Sequence, residues 1–130
     1  VSMCVWDKLM INVGINCLTV IFNCSNGALA GDHEKRELMK RAVVEAENVA
    51  CTMGQPISPD PFARCMAVCR RTSENISSML QDVRGKRRTE VDAINGMIVK
   101  LGEKFGVDTE MNRYLFEEVK KVENGLVQGT

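Results

Sequence analysis

The stretch D-K-L-M-I-N-V-G-I-N-C-L, residues 7–18, decides how this chain is read. Lys8, Asn12 and Asn16 fall four apart among Leu, Met, Ile and Val. A helix advances about 100° per residue, so positions four apart drift by only about 40° and the three polar groups form one line. Asparagine inside a helix costs roughly 0.5 kcal/mol or more against alanine. Buried amide and ammonium groups also need partners. Two readings stay open on spacing alone. The line is a narrow solvent stripe on an amphipathic helix, or it lines a crevice for a small ligand. In the second case a lysine in apolar surroundings has a lowered pKa and suits proton transfer.

Outward from this stretch, every segment reads as helical. The first helix covers residues 5–22 and ends in the N-C-S-N-G turn at 23–27. A second begins after Asp32 as N-cap, with Glu34 in its first turn. Leu38, Ala42, Ala46, Val49 and Met53 form its inner stripe, and Gly54 and Pro56 stop it. Ser58 and Pro59 supply an N-cap and N1 for a third, with Phe62, Cys65, Met66 and Cys69 inside. A polar break at 72–78 precedes a short fourth segment, 79–84, ended by Gly85. T-E-V-D at 89–92 resembles a capping box, with Thr89 as cap of a fifth helix. That helix turns Val91, Ile94, Met97, Ile98 and Leu101 inward, and Gly102 and Gly106 mark its end. The last segment, 109–122, carries Met111, Leu115, Val119 and Val122 on one side, with Lys120 and Lys121 in its final turns. No alternating β pattern or internal repeat is present, so the class is all-α, a bundle of about six helices.

Composition narrows the function classes. The 130 residues make one domain with a real core, and 17 basic against 17 acidic side chains give no net charge. Nothing global steers the chain to nucleic acid or an anionic membrane. The one basic run, 84–88, reads as a solvated connector. The apolar run 9–22 holds 14 residues with two Asn and a Gly, too short and too polar for a bilayer span. The cysteines at 4, 17, 24, 51, 65 and 69 form no C-x-x-C, and His33 is the sole histidine, so no zinc pattern arises. The expectation is no metal, and reduced, buried thiols in a cytoplasmic protein. The start at Val rather than Met reads as a piece of a longer protein.

A second polar cluster strengthens the crevice reading. E-N-I-S-S-M at 74–79 brings amide and hydroxyl groups to a helix break. Such residues serve as caps, and backbone N–H groups opening the next segment can hold a carboxylate. Glu90, opening the fifth helix, complements its dipole or faces the same crevice.

Together, W-D-K-L-x3-N-x3-N, N-C-S-N-G, E-N-I-S-S-M-L-Q-D-V-R and R-R-T-E-V-D-A-I-N-G resemble the C-terminal domain of ketopantoate reductase, also called 2-dehydropantoate 2-reductase. The resemblance covers about residues 6–123. It implies the all-helical fold of the 6-phosphogluconate dehydrogenase C-terminal-domain type. It also implies that residues 1–130 are the substrate-binding half of an enzyme whose N-terminal Rossmann domain, absent from this chain, binds NADPH. The implied reaction reduces a 2-keto acid, ketopantoate, to pantoate on the route to pantothenate and coenzyme A. By the same resemblance, Lys8 donates a proton to the ketone oxygen, and Glu90 bonds the substrate hydroxyl and orients the lysine. Ser78 contacts the substrate carboxylate, Asn12 and Asn16 take the hydroxyl end, and Asn26 and Asn75 line the site. Glu110 departs from the family, where many relatives have proline; the change touches a helix start only. Two alternatives accompany this reading: a paralogous reductase for another 2-keto acid, and a helical dimerisation module. An apolar face left by the missing domain favours a homodimer.

Overall fold

The computed structural model describes residues 3–128, and among them every regular element is helical. In chain order these are α1 (Met3–Phe22), α2 (Asn26–Gly31), α3 (His33–Thr52), α4 (Pro61–Arg71), α5 (Ser78–Arg84), a 3₁₀ turn (Val91–Ala93), α6 (Asn95–Phe105) and α7 (Glu110–Gln128). The organising element is α1, which packs against α3, α4, α5 and α7. A helix hydrophobic on most sides must be enclosed, and residues 13–20 are buried without a break. By length and composition Cys4–Phe22 is apolar enough to cross a membrane, beyond what the shorter run 9–22 indicated. More than half of it is buried inside the bundle, as expected of a core helix.

Gly14 lets this central helix close on its neighbours. A Cβ there would stand 2.9 Å from both Cys65 Sγ on α4 and Val43 Cγ2 on α3. The core around it includes Met10, Val13, Leu18, Met39, Val43, Leu80, Ile98 and Leu115. A polar relay also runs through it. Cys17 Sγ donates to Asn95 Oδ1 at 3.1 Å, and Asn95 Nδ2 donates to Asn112 Oδ1 at 3.0 Å. Asn112 Nδ2 in turn donates to the Ala42 carbonyl and to Glu45 Oε1, both at 2.9 Å. The Glu45 carboxylate also accepts the backbone N–H groups of Met111 and Asn112, an anion at the start of α7.

Several expectations change at this point. Asp32 does cap α3, accepting from the Lys35 N–H at 2.9 Å, and Gly54 follows the helix at φ +71°. Of the inner stripe expected on α3, Ala42, Ala46 and Val49 are fully buried. Met39, Val43 and Ala50 are buried, while Leu38 and Met53 lie half-buried at its edge. The cap of α4 is Asp60 with Pro61 at the first turn, in place of Ser58 and Pro59. Ser58 instead gives its N–H and hydroxyl to the Asp7 carboxylate on α1. Residues 26–31 form the short α2, which overlaps the end of the turn expected at 23–27. The reciprocal capping box at Thr89 does not form, although the Thr89 hydroxyl oxygen accepts the Val91 N–H at 3.3 Å. A 3₁₀ turn and an irregular Ile94 (φ −110°, ψ −91°) precede α6; Val91, Ile94 and Ile98 face inward as expected, joined by Asn95, while Met97 is exposed. Because α7 continues to Gln128, Lys120 and Lys121 are not at its end. They pair with acids, Lys120 with Asp92 and Glu123, and Lys121 with Glu118.

All six thiols are free. Burial pushes Cys65 up to about 12, Cys69 up to about 11 and Cys17 higher still. Cys24 is half-buried, and Cys4 and Cys51 are exposed, against the expectation of burial, because they lie on the outer faces of α1 and α3.

Candidate functional site

Where the polar line of α1 goes is set by its depth along the helix. Lys8 is exposed, Asn12 half-buried and Asn16 buried. Near Lys8 only Trp6 and Met10 turn fully into the core, whereas burial is continuous from Val13 onward. The line therefore starts in solvent and descends into the fold. The apolar enclosure expected around the lysine is not provided by this chain.

At its inner end lies a cleft of about 220 Å³. Asn12 and Asn16 form one wall, and Asn26, Asn75 and Ser78 face them from α2, the α4–α5 connection and the first residue of α5. Five of the seven expected site residues thus meet in one depression, completed by Ile11, Ile15, Val68 and Ile76. Lys8 lines a neighbouring depression of about 300 Å³ with Asp7 and Arg64. Ile11 borders both, so the lysine stands one helical turn from Asn12 at the outer rim.

Glu90 lines neither depression and its side chain is exposed. Its backbone carbonyl accepts from the Ala93 N–H at the start of the 3₁₀ turn, so it opens that turn and not α6 itself.

The cleft walls are fixed by a hydrogen-bond chain that sequence reasoning missed. The Thr19 hydroxyl donates to the Asn16 carbonyl at 2.8 Å, so its single proton is used. The 2.6 Å contact between Thr19 and Ser77 therefore has Ser77 donating. Ser77 Oγ also accepts the Leu80 N–H at 3.0 Å and caps α5. That donor at the start of α5 is thus already engaged, and Ser77 ties the connection to α1. Opposite, the Thr72 hydroxyl donates to the Val68 carbonyl at 2.7 Å and accepts Asn26 Nδ2 at 3.0 Å. This fixes the orientation of the Asn26 amide. Its Oδ1 is, among the described residues, the one buried side-chain polar atom without a hydrogen-bond partner. The backbone holds the group in place, because Asn26 N–H donates to the Asn75 carbonyl and Gly27 N–H to that of Ser73.

The described residues thus form a helical domain with an amide- and hydroxyl-lined cleft and a lysine at its rim. The family description "Ketopantoate reductase PanE/ApbA C terminal" matches residues 1–123. The chain belongs to this family, and its fold is that of the ketopantoate reductase C-terminal domain. It is 39% identical over 122 residues to the 2-dehydropantoate 2-reductase of Archaeoglobus fulgidus, covering 94% of this chain and 41% of that protein. Against the 2-dehydropantoate 2-reductase of Shigella flexneri the identity is 41% over 125 residues, covering 92% and 39%. Among solved structures, the PanE/ApbA family ketopantoate reductase of Ralstonia eutropha JMP134 superposes with a TM-score of 0.89 at 28% identity, over 96% of this chain and 42% of that one. D-mandelate dehydrogenase in a ternary structure with NADH and anilino(oxo)acetate gives 0.88 at 28%, over 95% and 41%. The chain thus spans about two-fifths of the length of the relatives it matches.

Proposed function

We propose that this chain is the substrate-binding half of an NADPH-dependent 2-dehydropantoate 2-reductase, completed by an N-terminal Rossmann domain that holds the cofactor. The observation that carries the reading is the meeting of Asn12, Asn16, Asn26, Asn75 and Ser78 in one cleft, with Lys8 one turn away at its rim. In this reading the cleft takes the alkyl and hydroxyl end of ketopantoate, and Ser78 its carboxylate. The nicotinamide supplies hydride when bound. Hydride arriving at the keto carbon builds negative charge on its oxygen, which the Lys8 ammonium stabilises and neutralises by giving up a proton. Closure of the Rossmann domain over the exposed Lys8 moves it from water into a low-dielectric site, in which its charge counts for more. Glu90 lines neither depression; its role toward the substrate hydroxyl rests on the family resemblance of R-R-T-E-V-D. The same reading places the protein in the cytoplasm, on the route to pantothenate.

The amides favour a substrate that carries a hydroxyl. Asn26 Oδ1 is an acceptor in need of a donor. A site built to bond a hydroxyl rejects an analogue lacking one, because its buried groups are left unpaired. Steady-state NADPH oxidation by the full-length protein is expected to be far faster with ketopantoate than with an aryl 2-keto acid. The reverse order would assign the cleft to another 2-keto acid. The chain by itself, without the groups that hold nicotinamide, should show negligible turnover.

A further inference from the structure

We propose that Glu123 is the positioning residue for Glu90, acting with Lys120 as a two-point clamp on the segment that carries it; the inference rests on the role of Glu90 given above. Glu90 is exposed and lies in irregular chain between α5 and α6, a poor place for a group that must meet a substrate atom. Its neighbours, however, are tied down on both sides. Before it, Thr89 gives its N–H (2.7 Å) and its hydroxyl (3.0 Å) to the same oxygen, Glu123 Oε2. After it, Asp92 Oδ2 accepts from Lys120 Nζ at 3.1 Å. Lys120 and Glu123 are one turn apart on α7 and pair with each other, Nζ to Oε1 at 3.4 Å.

The site of the clamp is informative. Glu123 continues the row Met111, Leu115, Val119 at four-residue spacing, on the buried side of α7, and its side chain is only 9% exposed. A buried carboxylate is costly unless its oxygens are bonded, and here both are. An apolar residue at this position would pack against the same core but would release Thr89. The carboxylate thus converts the rigid register of α7 into a fixed path for residues 89–92, with Glu90 held between the two anchor points.

The test is a double-mutant cycle in kcat for ketopantoate reduction by the full-length protein. Glu123→Ala is expected to lower kcat on the order of 10- to 100-fold, as misplacement of a reacting group by about 1 Å does, with the cofactor KM unchanged. Glu123→Gln keeps an acceptor for Thr89 and should restore most of the rate. In a Glu90→Ala background the Glu123→Ala loss should vanish, because there is nothing left to position. An equal loss with and without Glu90 overturns the clamp and leaves Glu123 a structural residue. If Glu123→Ala does not fold, Lys120→Ala breaks the Asp92 anchor and enters the same cycle, whereas Thr89→Ala removes only the hydroxyl bond and leaves the N–H on Glu123. A Glu90→Ala single variant with parental turnover is a separate result: it removes the role assigned to Glu90, and the inference with it.

Discussion

At Asn26, one end of the amide is committed to Thr72 and the other, Oδ1, is buried without a partner. An unsatisfied buried acceptor costs about 1–3 kcal/mol, and a ligand hydroxyl that fills it recovers much of that. Asn26→Ala is therefore expected to raise the ketopantoate KM of the full-length protein by about tenfold or more, with little change in melting temperature. A large loss of stability with KM unchanged would make Asn26 a structural residue. Asp7 shows the complementary case of a satisfied group. Burial draws its carboxyl upward, but the two Ser58 bonds and the Arg64 guanidinium outweigh this and hold it below the ordinary value of 3.8. A carboxylate with a lowered folded pKa contributes its stability in full above the unfolded value and loses it as pH falls through the folded one. Thermal melts from pH 6 down to pH 2 should show an increment that fades below about pH 4 in the parent and is missing at every pH in Asp7→Asn. Identical pH profiles would remove Asp7 from that account.

At the scale of elements, the approach of α2 to the α4–α5 connection sets the width of the cleft. A Cβ on Gly27 would meet Ser73 at its Cβ, carbonyl oxygen and Cα within 2.5–2.9 Å. Two of those atoms are backbone and cannot rotate away, so Gly27→Ala should push the start of α2 outward and carry Asn26 with it. The expected result is weaker ketopantoate binding from a residue that touches no substrate, alongside a destabilisation of about 1–3 kcal/mol. Denaturant unfolding and KM on the same variant check both. Element boundaries were legible where one residue carries the signal, as at Asp32, Gly54 and Gly85. They were not where tertiary structure redirects a residue. Ser58 looks like a cap but is drawn away by Asp7, so Asp60 takes the role from a left-handed conformation (φ +51°). Thr89 gives its N–H and hydroxyl proton to Glu123 and accepts only the Val91 N–H, so a 3₁₀ turn opens there and α6 starts later, at Asn95.

At the scale of the molecule, α1 organises both core and site. Its residues 13–20 are buried in the bundle, while Lys8, Asn12 and Asn16 run in a single line from the outer depression into the cleft. That line was legible because helical spacing alone aligns the three residues. The opposite wall depends on which helices meet α1, which no local pattern encodes. The polar cluster at 74–79 was visible at its helix break, but Asn26 came from the resemblance in the motifs. Glu123 was within reach of the sequence, since an acid continuing an apolar row at four-residue spacing marks a buried charge. The fold also predicts its own thiol chemistry. Cys4 and Cys51 should react quickly with a disulfide reagent at pH 8 in the folded chain, while Cys17, Cys65 and Cys69, buried and raised in pKa, should wait for unfolding. Rapid labelling of all six would contradict the packing of α1 against α4.

The central claim, that the chain's polar line ends in a proton donor for a 2-keto acid, is tested most directly at Lys8. In the full-length protein, Lys8→Ala should lower kcat for ketopantoate-dependent NADPH oxidation by ~10²–10⁴-fold, the usual weight of a general acid. Because Lys8 is exposed, its removal should leave the melting temperature unchanged. Undiminished turnover by Lys8→Ala would contradict the account.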